Sequence, residues 1–169
     1  WVQVGADIDG EATSDNSGWS VSLSSDGSRV AIGAYANDGN GTNSGHVRIY
    51  NYNGSAWVQV GADIDGEAAD DYSGNSVSFS SDGSRVAIGA ENNDGNGSNS
   101  GHVRIFSYTP SGVSSWTQVG ADIDGEAAND YSGYSVSLSS DGSRVAIGAR
   151  GNDGNGSNSG HVRIFSYTP

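Results

Sequence analysis

One stretch of this sequence recurs three times almost unchanged, and this repetition constrains the fold more than any other feature. The copies are residues 17–34, 73–90 and 132–149. In the third copy, residues 135–139 alternate polar and apolar side chains, and residues 144–149 keep their aliphatic side chains on one face, which is the period of a half-buried strand. Asp141 and Gly142 between them suit a tight turn, because glycine accepts positive φ. Each copy therefore predicts a β-hairpin.

Each hairpin lies within a longer unit that opens on a tryptophan. The units are residues 1–56, 57–115 and 116–169. In the first unit, residues 1–8 alternate as a leading strand and residues 46–52 alternate as a third strand of the hairpin group. Residues 37–45 contain only Gly, Asn, Asp, Ser and Thr, which predicts an exposed loop because such a run buries no apolar area. Four strands per unit and no convincing helix predict one continuous all-β array.

The composition narrows the classes of function. Glycine accounts for 27 of 169 residues, about twice the usual share of ~7%, which suits short strands with tight turns. The net charge of −13 repels phosphate backbones and anionic headgroups, so no nucleic-acid partner is expected. The absence of Cys and Lys excludes disulfides, thiolate metal sites and Schiff-base chemistry. No apolar run approaches the ~20 residues of a membrane helix, so no membrane insertion is expected.

Three segments of the unit, taken in order, carry a resemblance to a known family. In the third unit they read Ser-Gly-Tyr-Ser-Val-Ser-Leu-Ser at 132–139, Val-Ala-Ile-Gly-Ala at 145–149 and Ser-Gly-His-Val-Arg-Ile-Phe at 159–165. The chain resembles the FG-GAP repeat family, which builds the propeller of integrin α subunits and of many bacterial and algal surface proteins. The resemblance spans all three units. It implies tandem four-stranded antiparallel repeats that form β-propeller-type blades, in a propeller or in an open, filamentous array.

The resemblance also implies a position for each strand in a blade. Residues 135–139 would form the innermost strand, 144–149 the second and 161–167 the third, and the leading strand of the next unit would be outermost. Three blades are fewer than the four to eight of a typical propeller, so we expect further repeats in a longer protein or association between copies. An unpaired strand at residues 1–8 would serve as an edge for head-to-tail growth or as a clasp on the last blade.

Calcium is the one cofactor that the sequence suggests. Members of the resembled family often bind it between the first and second strands, but here that connection, residues 139–143, is too short to wrap an ion. Two other acidic loops of each unit offer alternating oxygens, and either an ion site or a solvated turn would account for them. The candidate ligands in the first loop are Asp7, Asp9, Glu11, Asp63, Asp65, Glu67, Asp122, Asp124 and Glu126. Those in the second loop are Asp38, Asn40, Asp94, Asn96, Asp153 and Asn155.

Four asparagines lie in glycosylation sequons. They are Asn40, Asn53, Asn96 and Asn155. Three of them share one position in the predicted exposed loop, as an acceptor site requires, although a run of Asn, Gly and Ser also produces the triplet by composition. Modification is expected if the source is a secreted eukaryotic protein.

Two basic residue types recur at equivalent positions of the third strand. They are the histidines His46, His102 and His161 and the arginines Arg48, Arg104 and Arg163. The histidines are interpreted as structural, because equivalent positions of different blades lie far apart. The arginines are expected to form exposed pairs with the acidic loops, each contributing about 0–1 kcal/mol.

The tryptophans open the units and are predicted to pack between neighbouring units. They are Trp1, Trp57 and Trp116. Stacking on a sugar is the alternative role. Trp19, which becomes Asn75 and Tyr134 in the other copies, is a slightly better candidate for that role.

The sequence offers no catalytic motif. It has no Gly-x-Ser-x-Gly elbow, phosphate loop or paired-histidine zinc motif, and its acidic pairs recur in every unit, whereas an active site is normally asymmetric. We therefore expect no enzyme. The sequence predicts an extracellular or cell-surface structural or adhesive protein whose units self-associate into a scaffold or filament. The alternative is a closed propeller that recognises a carbohydrate or a protein through its loops, with or without calcium.

Overall fold

The chain forms a series of β-sheets, which a computed structural model describes for residues 1–110 and 115–168. The first unit contributes β1 (Ser20–Leu23), β2 (Arg29–Ala34) and β3 (His46–Tyr52). The second contributes β4 (Trp57–Gln59), β5 (Ile64–Asp65), β6 (Ser73–Phe79), β7 (Arg85–Ala90) and β8 (His102–Thr109). The third contributes β9 (Ser115–Gln118), β10 (Ile123–Asp124), β11 (Ser132–Leu138), β12 (Arg144–Ala149) and β13 (His161–Ser166). The prediction of an all-β fold of tandem antiparallel repeats is confirmed.

Each sheet combines three strands of one unit with the leading residues of the next. The order is β1-β2-β3-β4 in the first sheet, where β5 also pairs with β3, and the second sheet repeats it with β6-β7-β8 and the partners β9 and β10. The third sheet contains β11-β12-β13. The outermost strand thus comes from the following unit, as the family resemblance implies. In the described part of the chain no helix is long and apolar enough to cross a membrane.

The leading strand differs from its prediction in two ways. It is broken into two short segments, because Gly61 and Gly120 adopt φ of 80° and 77° and interrupt the ladder. In the first unit, residues 1–8 form no strand at all. A strand needs a partner for its backbone N–H and C=O groups, and no described residue offers residues 1–8 such a partner strand. Nor do residues 1–8 clasp the last blade, since β13 pairs with β12 alone among the described strands.

The hydrophobic core lies between successive sheets. One cluster joins the first sheet to the second, and another joins the second to the third. The first contains Ala31, Val47, Ile49, Ile64, Phe79, Val86, Ile88 and Phe106, and the second contains Ala87, Val103, Leu138, Val145 and Ile147. The second sheet thus buries one face against the first sheet and the other against the third, so neighbouring units support each other's cores.

The polar loop before each third strand is less exposed than predicted. Its middle is solvated, but Asn37 and Ser44 at its two ends are buried. The side-chain amide of Asn37 donates a 2.9 Å hydrogen bond to Oδ2 of Asp15, which is itself 4% exposed. This polar pair replaces apolar burial as the anchor of the loop, because buried polar groups must be hydrogen-bonded. The same pair recurs between Asn93 and Asp71.

Candidate functional site

A histidine and two carboxylates converge at the start of β3 and again at the start of β8, the third strands of the first two units. At the first boundary Nδ1 of His46 lies 3.8 Å from Oε2 of Glu11 and 3.8 Å from Oδ2 of Asp63. At the second boundary Nδ1 of His102 lies 3.8 Å from Oε2 of Glu67 and 4.0 Å from Oδ2 of Asp122. The ligand atoms of each group lie within 4.8 Å of one another. The two clusters therefore repeat one geometry at successive unit boundaries.

The pairing of strands brings the members of the second cluster together. His102 opens β8 and lies opposite Asp124 in β10, which belongs to the next unit. Asp122 immediately precedes β10, and its Oδ2 lies 4.0 Å from Nδ1 of His102. Glu67 follows β5 and reaches the same place from the acidic loop of the second unit. The cluster thus spans two units.

The imidazole of His102 is buried but incompletely satisfied. Its side chain is 1% exposed, and Nδ1 has no hydrogen-bond partner among the described residues. Burial lowers the pKa of His102, and the charge of Arg104 lowers it further against the opposing effect of Asp122 and Glu67. The ring is therefore neutral at pH 7, and a neutral nitrogen with a free lone pair is a good metal ligand.

Each carboxylate of the second cluster uses one oxygen for the protein and turns the other toward His102. Oδ1 of Asp122 accepts a 2.6 Å hydrogen bond from Nε2 of Gln118, while Oδ2 faces the imidazole. Oε1 of Glu67 lies 3.6 Å from Nη1 of Arg104, while Oε2 faces the imidazole. Outer partners of this kind orient the ligands of metal sites. The arrangement therefore points two oxygens and one nitrogen at a common centre.

The arginines of the third strands join the acidic loops, but two of the three are not exposed. Arg48 and Arg104 are only 6% and 7% exposed, because each guanidinium inserts behind the acidic loop. Nη2 of Arg104 donates a 2.6 Å hydrogen bond to the backbone carbonyl of Asp65. The expectation of exposed pairs is therefore wrong for these two arginines. Their burial makes them structural supports of the loop, since a buried charge must be paired and hydrogen-bonded.

The third unit offers only part of this cluster. Nδ1 of His161 lies 3.6 Å from Oε2 of Glu126, and the side chain of His161 is 25% exposed. The third potential ligand there is Asp130, of the same unit. Oδ2 of Asp130 already accepts hydrogen bonds from the backbone of Ala127 and from the side chain of Asn152. The position that Asp63 and Asp122 fill belongs to a following unit, so this cluster is incomplete.

The structure divides the acidic residues that the sequence suggests as ion ligands. Five of them join the histidine clusters, namely Glu11, Asp63, Glu67, Asp122 and Glu126. The backbone carbonyls of three others accept hydrogen bonds from arginine, namely Asp9, Asp65 and Asp124. Asp7 accepts from Gln3. In the polar loop, three aspartates accept a backbone N–H of the same loop, namely Asp38, Asp94 and Asp153. Calcium binding at either loop stays a prediction.

Sequence reasoning missed the histidines as members of a site. A comparison of the three histidines with one another hides the fact that each lies beside acidic residues. The family resemblance implies that the third strand pairs with the leading strand of the next unit, but the register that sets His46 opposite Asp65 comes from the structure alone. On a strand His46 and Arg48 share a face, and this register brings Asp63 and Asp65 to that face.

The four sequon asparagines fall into two groups, according to whether the side chain bonds to the next unit. The side-chain amide of Asn40 donates hydrogen bonds of 2.8 and 3.1 Å to the carbonyls of Gly66 and Glu67 in the next unit. Asn96 makes the same two bonds, to Gly125 and Glu126. Asn53 and Asn155 are exposed, and neither side-chain nitrogen donates to another described residue. Glycosylation stays a prediction for all four asparagines.

The tryptophans that open the units differ in their contacts. Nε1 of Trp116 donates to the carbonyl of Val60 at 3.0 Å, and Nε1 of Trp57 donates to that of Val4 at 2.9 Å, so each contacts the preceding unit. Trp1 is fully exposed. For Trp1, inter-unit packing stays a prediction.

Stacked blade-like sheets, each with an outermost strand from the following unit, define a β-propeller-type repeat protein. The model of the FG-GAP repeat matches the chain three times, at residues 6–50, 62–106 and 121–165. The chain belongs to the FG-GAP repeat family, which confirms the resemblance. This family is typically non-enzymatic and typical of extracellular proteins.

Comparison with solved structures shows the same fold in a larger protein. The chain is similar to a chain of Kuenenia stuttgartiensis hydrazine synthase, with a TM-score of 0.52 and 12% sequence identity. The match covers 95% of this chain and 36% of that chain, so this chain spans about a third of that structure's length. At this identity the likeness concerns the fold alone. The search of curated proteins found no match.

Proposed function

We propose that this protein is an extracellular structural or adhesive repeat protein whose units stack head to tail into a scaffold or filament. The observation that carries the proposal is that the two ends of the described array expose complementary faces. At the two boundaries within the described chain, adjoining units bury these same faces against each other. The family's association with extracellular proteins supports the location.

The face of the last sheet is apolar and open. Val162 and Ile164 of β13 are 66% and 71% exposed, whereas their equivalents Val47 and Ile49 in β3 are 0% and 2% exposed. In the first sheet these positions are covered by the sheet that follows. The last sheet therefore offers the surface on which a following unit rests.

The free face of the first sheet, at the other end of the described array, is also exposed. Val21 and Leu23 of β1 are 63% and 59% exposed, whereas the equivalent of Leu23, Phe79 in β6, is 7% exposed. Phe79 packs against the preceding sheet. The first and last faces thus correspond to the two halves of an interior boundary. A contact between unlike faces repeats without closing, and this is how open filaments grow.

A cavity at the last sheet supports the same arrangement. Between the first two sheets, Trp116 lies 5.3 Å from the ring of Tyr108 and 5.7 Å from the guanidinium of Arg29. The equivalents of Arg29 and Tyr108 at the last sheet are Arg85 and Tyr167, and the guanidinium of Arg85 lies over the ring of Tyr167. Instead of a tryptophan, an apolar cavity of about 330 Å³ borders this pair. A tryptophan of a following unit would fill this space, and the exposed Trp1 of a second copy is suited to it.

Sedimentation velocity of this chain over a range of concentrations tests the proposal. We expect assembly at high concentration, and Ile164→Lys and Leu23→Lys should each block it by placing a charge on one face. Each variant keeps one intact face, so an equimolar mixture should form dimers and stop there. Val58→Lys, at a 49% exposed valine of β4, is the matched control. A wild-type chain that stays monomeric throughout contradicts the proposal.

A second candidate function, carbohydrate binding, rests on a row of three aromatic rings that ends in an exposed tryptophan. The ring of Trp19 lies 4.8 Å from that of Tyr35, which lies 5.4 Å from that of Tyr72. Trp19 is 60% exposed, so its ring offers an accessible face on which a sugar would stack. Titration with neutral oligosaccharides should change the tryptophan fluorescence of the wild type and leave that of Trp19→Ala unchanged. No change in the wild type rejects this candidate.

A further inference from the structure

We infer that Glu67, His102 and Asp122 bind a divalent transition-metal ion, best matched by Zn²⁺, which links the second unit to the third. The inference rests on three features of the cluster. These are an unpartnered nitrogen, two preoriented oxygens and a division of the ligands between two units.

The unpartnered nitrogen is the first feature. His102 is 1% exposed and its Nδ1 has no hydrogen-bond partner among the described residues. A buried polar atom that is left unsatisfied is unfavourable, so this position destabilises the fold unless a ligand occupies it. The two carboxylate oxygens that face Nδ1 lie at 3.8 and 4.0 Å. Because ionised carboxylates only accept hydrogen bonds, a cation between these atoms satisfies all three.

The distances fit a small ion after a modest contraction. Zn²⁺ lies about 2.0–2.2 Å from nitrogen and oxygen ligands, which places its ligands roughly 3.3 Å apart in a tetrahedron. Nδ1 of His102 lies 3.8 and 4.0 Å from the two carboxylate oxygens, and the three ligand atoms lie within 4.8 Å of one another, so each must move by roughly half an ångström. Glu67 and Asp122 are partly exposed, at 43% and 33%, so they have room to move and water can occupy a fourth position.

The donor set selects the class of metal. Calcium and magnesium take oxygen ligands, whereas imidazole nitrogen suits zinc and its neighbours. The second oxygens of the two carboxylates are held by Gln118 and Arg104. These outer contacts leave one oxygen of each carboxylate for the ion.

The division between units predicts the number of ions. Glu67 and His102 belong to one unit and Asp122 to the next, and Glu11, His46 and Asp63 repeat this division at the first boundary. The third cluster lacks a following aspartate. We therefore expect two tight sites in this chain. Metal binding should also strengthen the boundaries, because an ion that binds only the folded state stabilises it.

Calorimetric titration of the untagged, dilute chain with Zn²⁺ tests the inference, with Co²⁺ absorption as a spectroscopic probe of the ligands. We expect two ions bound, and Asp122→Asn should weaken one of the two sites by more than about tenfold, since loss of even an outer partner has that effect. Asp7→Asn is the matched control. Asp7 is the equivalent of Asp122 in the first unit, it belongs to neither cluster, and its carboxylate accepts a hydrogen bond from Gln3. The substitution should leave both sites unchanged.

Two results would overturn the assignment of these residues as a metal site. One is the absence of Zn²⁺ and Co²⁺ binding to the folded wild-type chain. The other is binding that Asp122→Asn and His102→Gln leave unaltered, with circular dichroism establishing that both variants are folded. Preferential binding of Ca²⁺ at this cluster would overturn the metal class as well.

Discussion

The hydroxyl of Ser76 donates a 2.7 Å hydrogen bond to the backbone carbonyl of Gly133 in the following unit. Gly133 lies in a bulge of β11 with φ of 87°, and the bulge turns its carbonyl away from its own ladder toward the second sheet. Ser20 makes the same contact with Gly74 at the first boundary. Successive sheets are therefore joined through the backbone as well as through their apolar cores.

This contact predicts an intolerance to side chains at Gly89. A Cβ added there would lie 2.1 Å from the carbonyl oxygen of Gly133, so Gly89→Ala must separate the sheets. We expect a loss of about 2 kcal/mol in the free energy of unfolding, as for other overpacked sites, measured by denaturant titration. Gly148→Ala is the control, because its Cβ would meet Ser135 but no atom of another unit. Equal losses in the two variants would contradict the role of the boundary.

The hairpins and their exchange of outer strands could be predicted from local pattern. Period-two alternation and a turn glycine determine the hairpins, and the family resemblance supplies the outermost strand. The break in the leading strand could not be foreseen, because the alternating pattern of its residues gives no sign that Gly61 adopts a φ of 80°. The meeting of His46 with Glu11 and Asp63 also depends on the register between two units. No pattern within one unit reveals that register.

The contacts of Trp116 predict a further difference between units. Trp116 donates to Val60 and its ring lies 6.2 Å from that of Phe79, whereas Trp1 is fully exposed. Trp116→Leu should lower the free energy of unfolding by about 2 kcal/mol, somewhat less than truncation of a core aromatic to alanine. Trp1→Leu should change it by less than about 0.5 kcal/mol in dilute samples. Thermal unfolding of the two variants checks the difference, and a similar loss in both would contradict it.

The turn aspartates predict an unusual resistance to acid in the hairpins. Oδ1 of Asp141 accepts hydrogen bonds from the hydroxyl of Ser139 and from the backbone and hydroxyl of Ser143. These bonds, led by that of Ser139, lower the pKa of Asp141 from 3.8 to about 2. Because the folded-state pKa is depressed, the stabilisation is fully present above pH 3.8 and is lost as the pH falls through about 2. The carboxyl ¹³C shift of Asp141 should follow this titration.

A serine variant provides the control for the acid titration. Ser139→Ala removes the largest cause of the shift, so the pKa of Asp141 should move back toward 3.8. Asp26, whose pKa is also lowered to about 2 with the bond from Ser24 as the largest cause, should be unaffected by this change. An unaltered titration of Asp141 in Ser139→Ala would show that the hydroxyl is not the cause.

The last prediction concerns which sequons carry glycans. The amide nitrogen of Asn96 donates two hydrogen bonds to the next unit, and attachment of a sugar would replace one of these N–H groups. Asn155 and Asn53 have exposed side chains without such bonds. Secretion from a eukaryotic host should therefore give modified chains at Asn53 and Asn155, and glycopeptide mass spectrometry should find Asn40 and Asn96 bare in the folded product.

A matched pair of substitutions separates this explanation from simple differences in access to the modifying enzyme. Asn96→Ala should destabilise the protein by about 1–2 kcal/mol, because it leaves the carbonyls of Gly125 and Glu126 without their donor. Asn155 occupies the same loop position in the third unit, where no described residue of a following unit accepts its amide. Asn155→Ala should therefore leave the stability nearly unchanged. If the two substitutions cost the same, the amide of Asn96 does not support the boundary. Glycans at Asn40 and Asn96 would then be compatible with the fold.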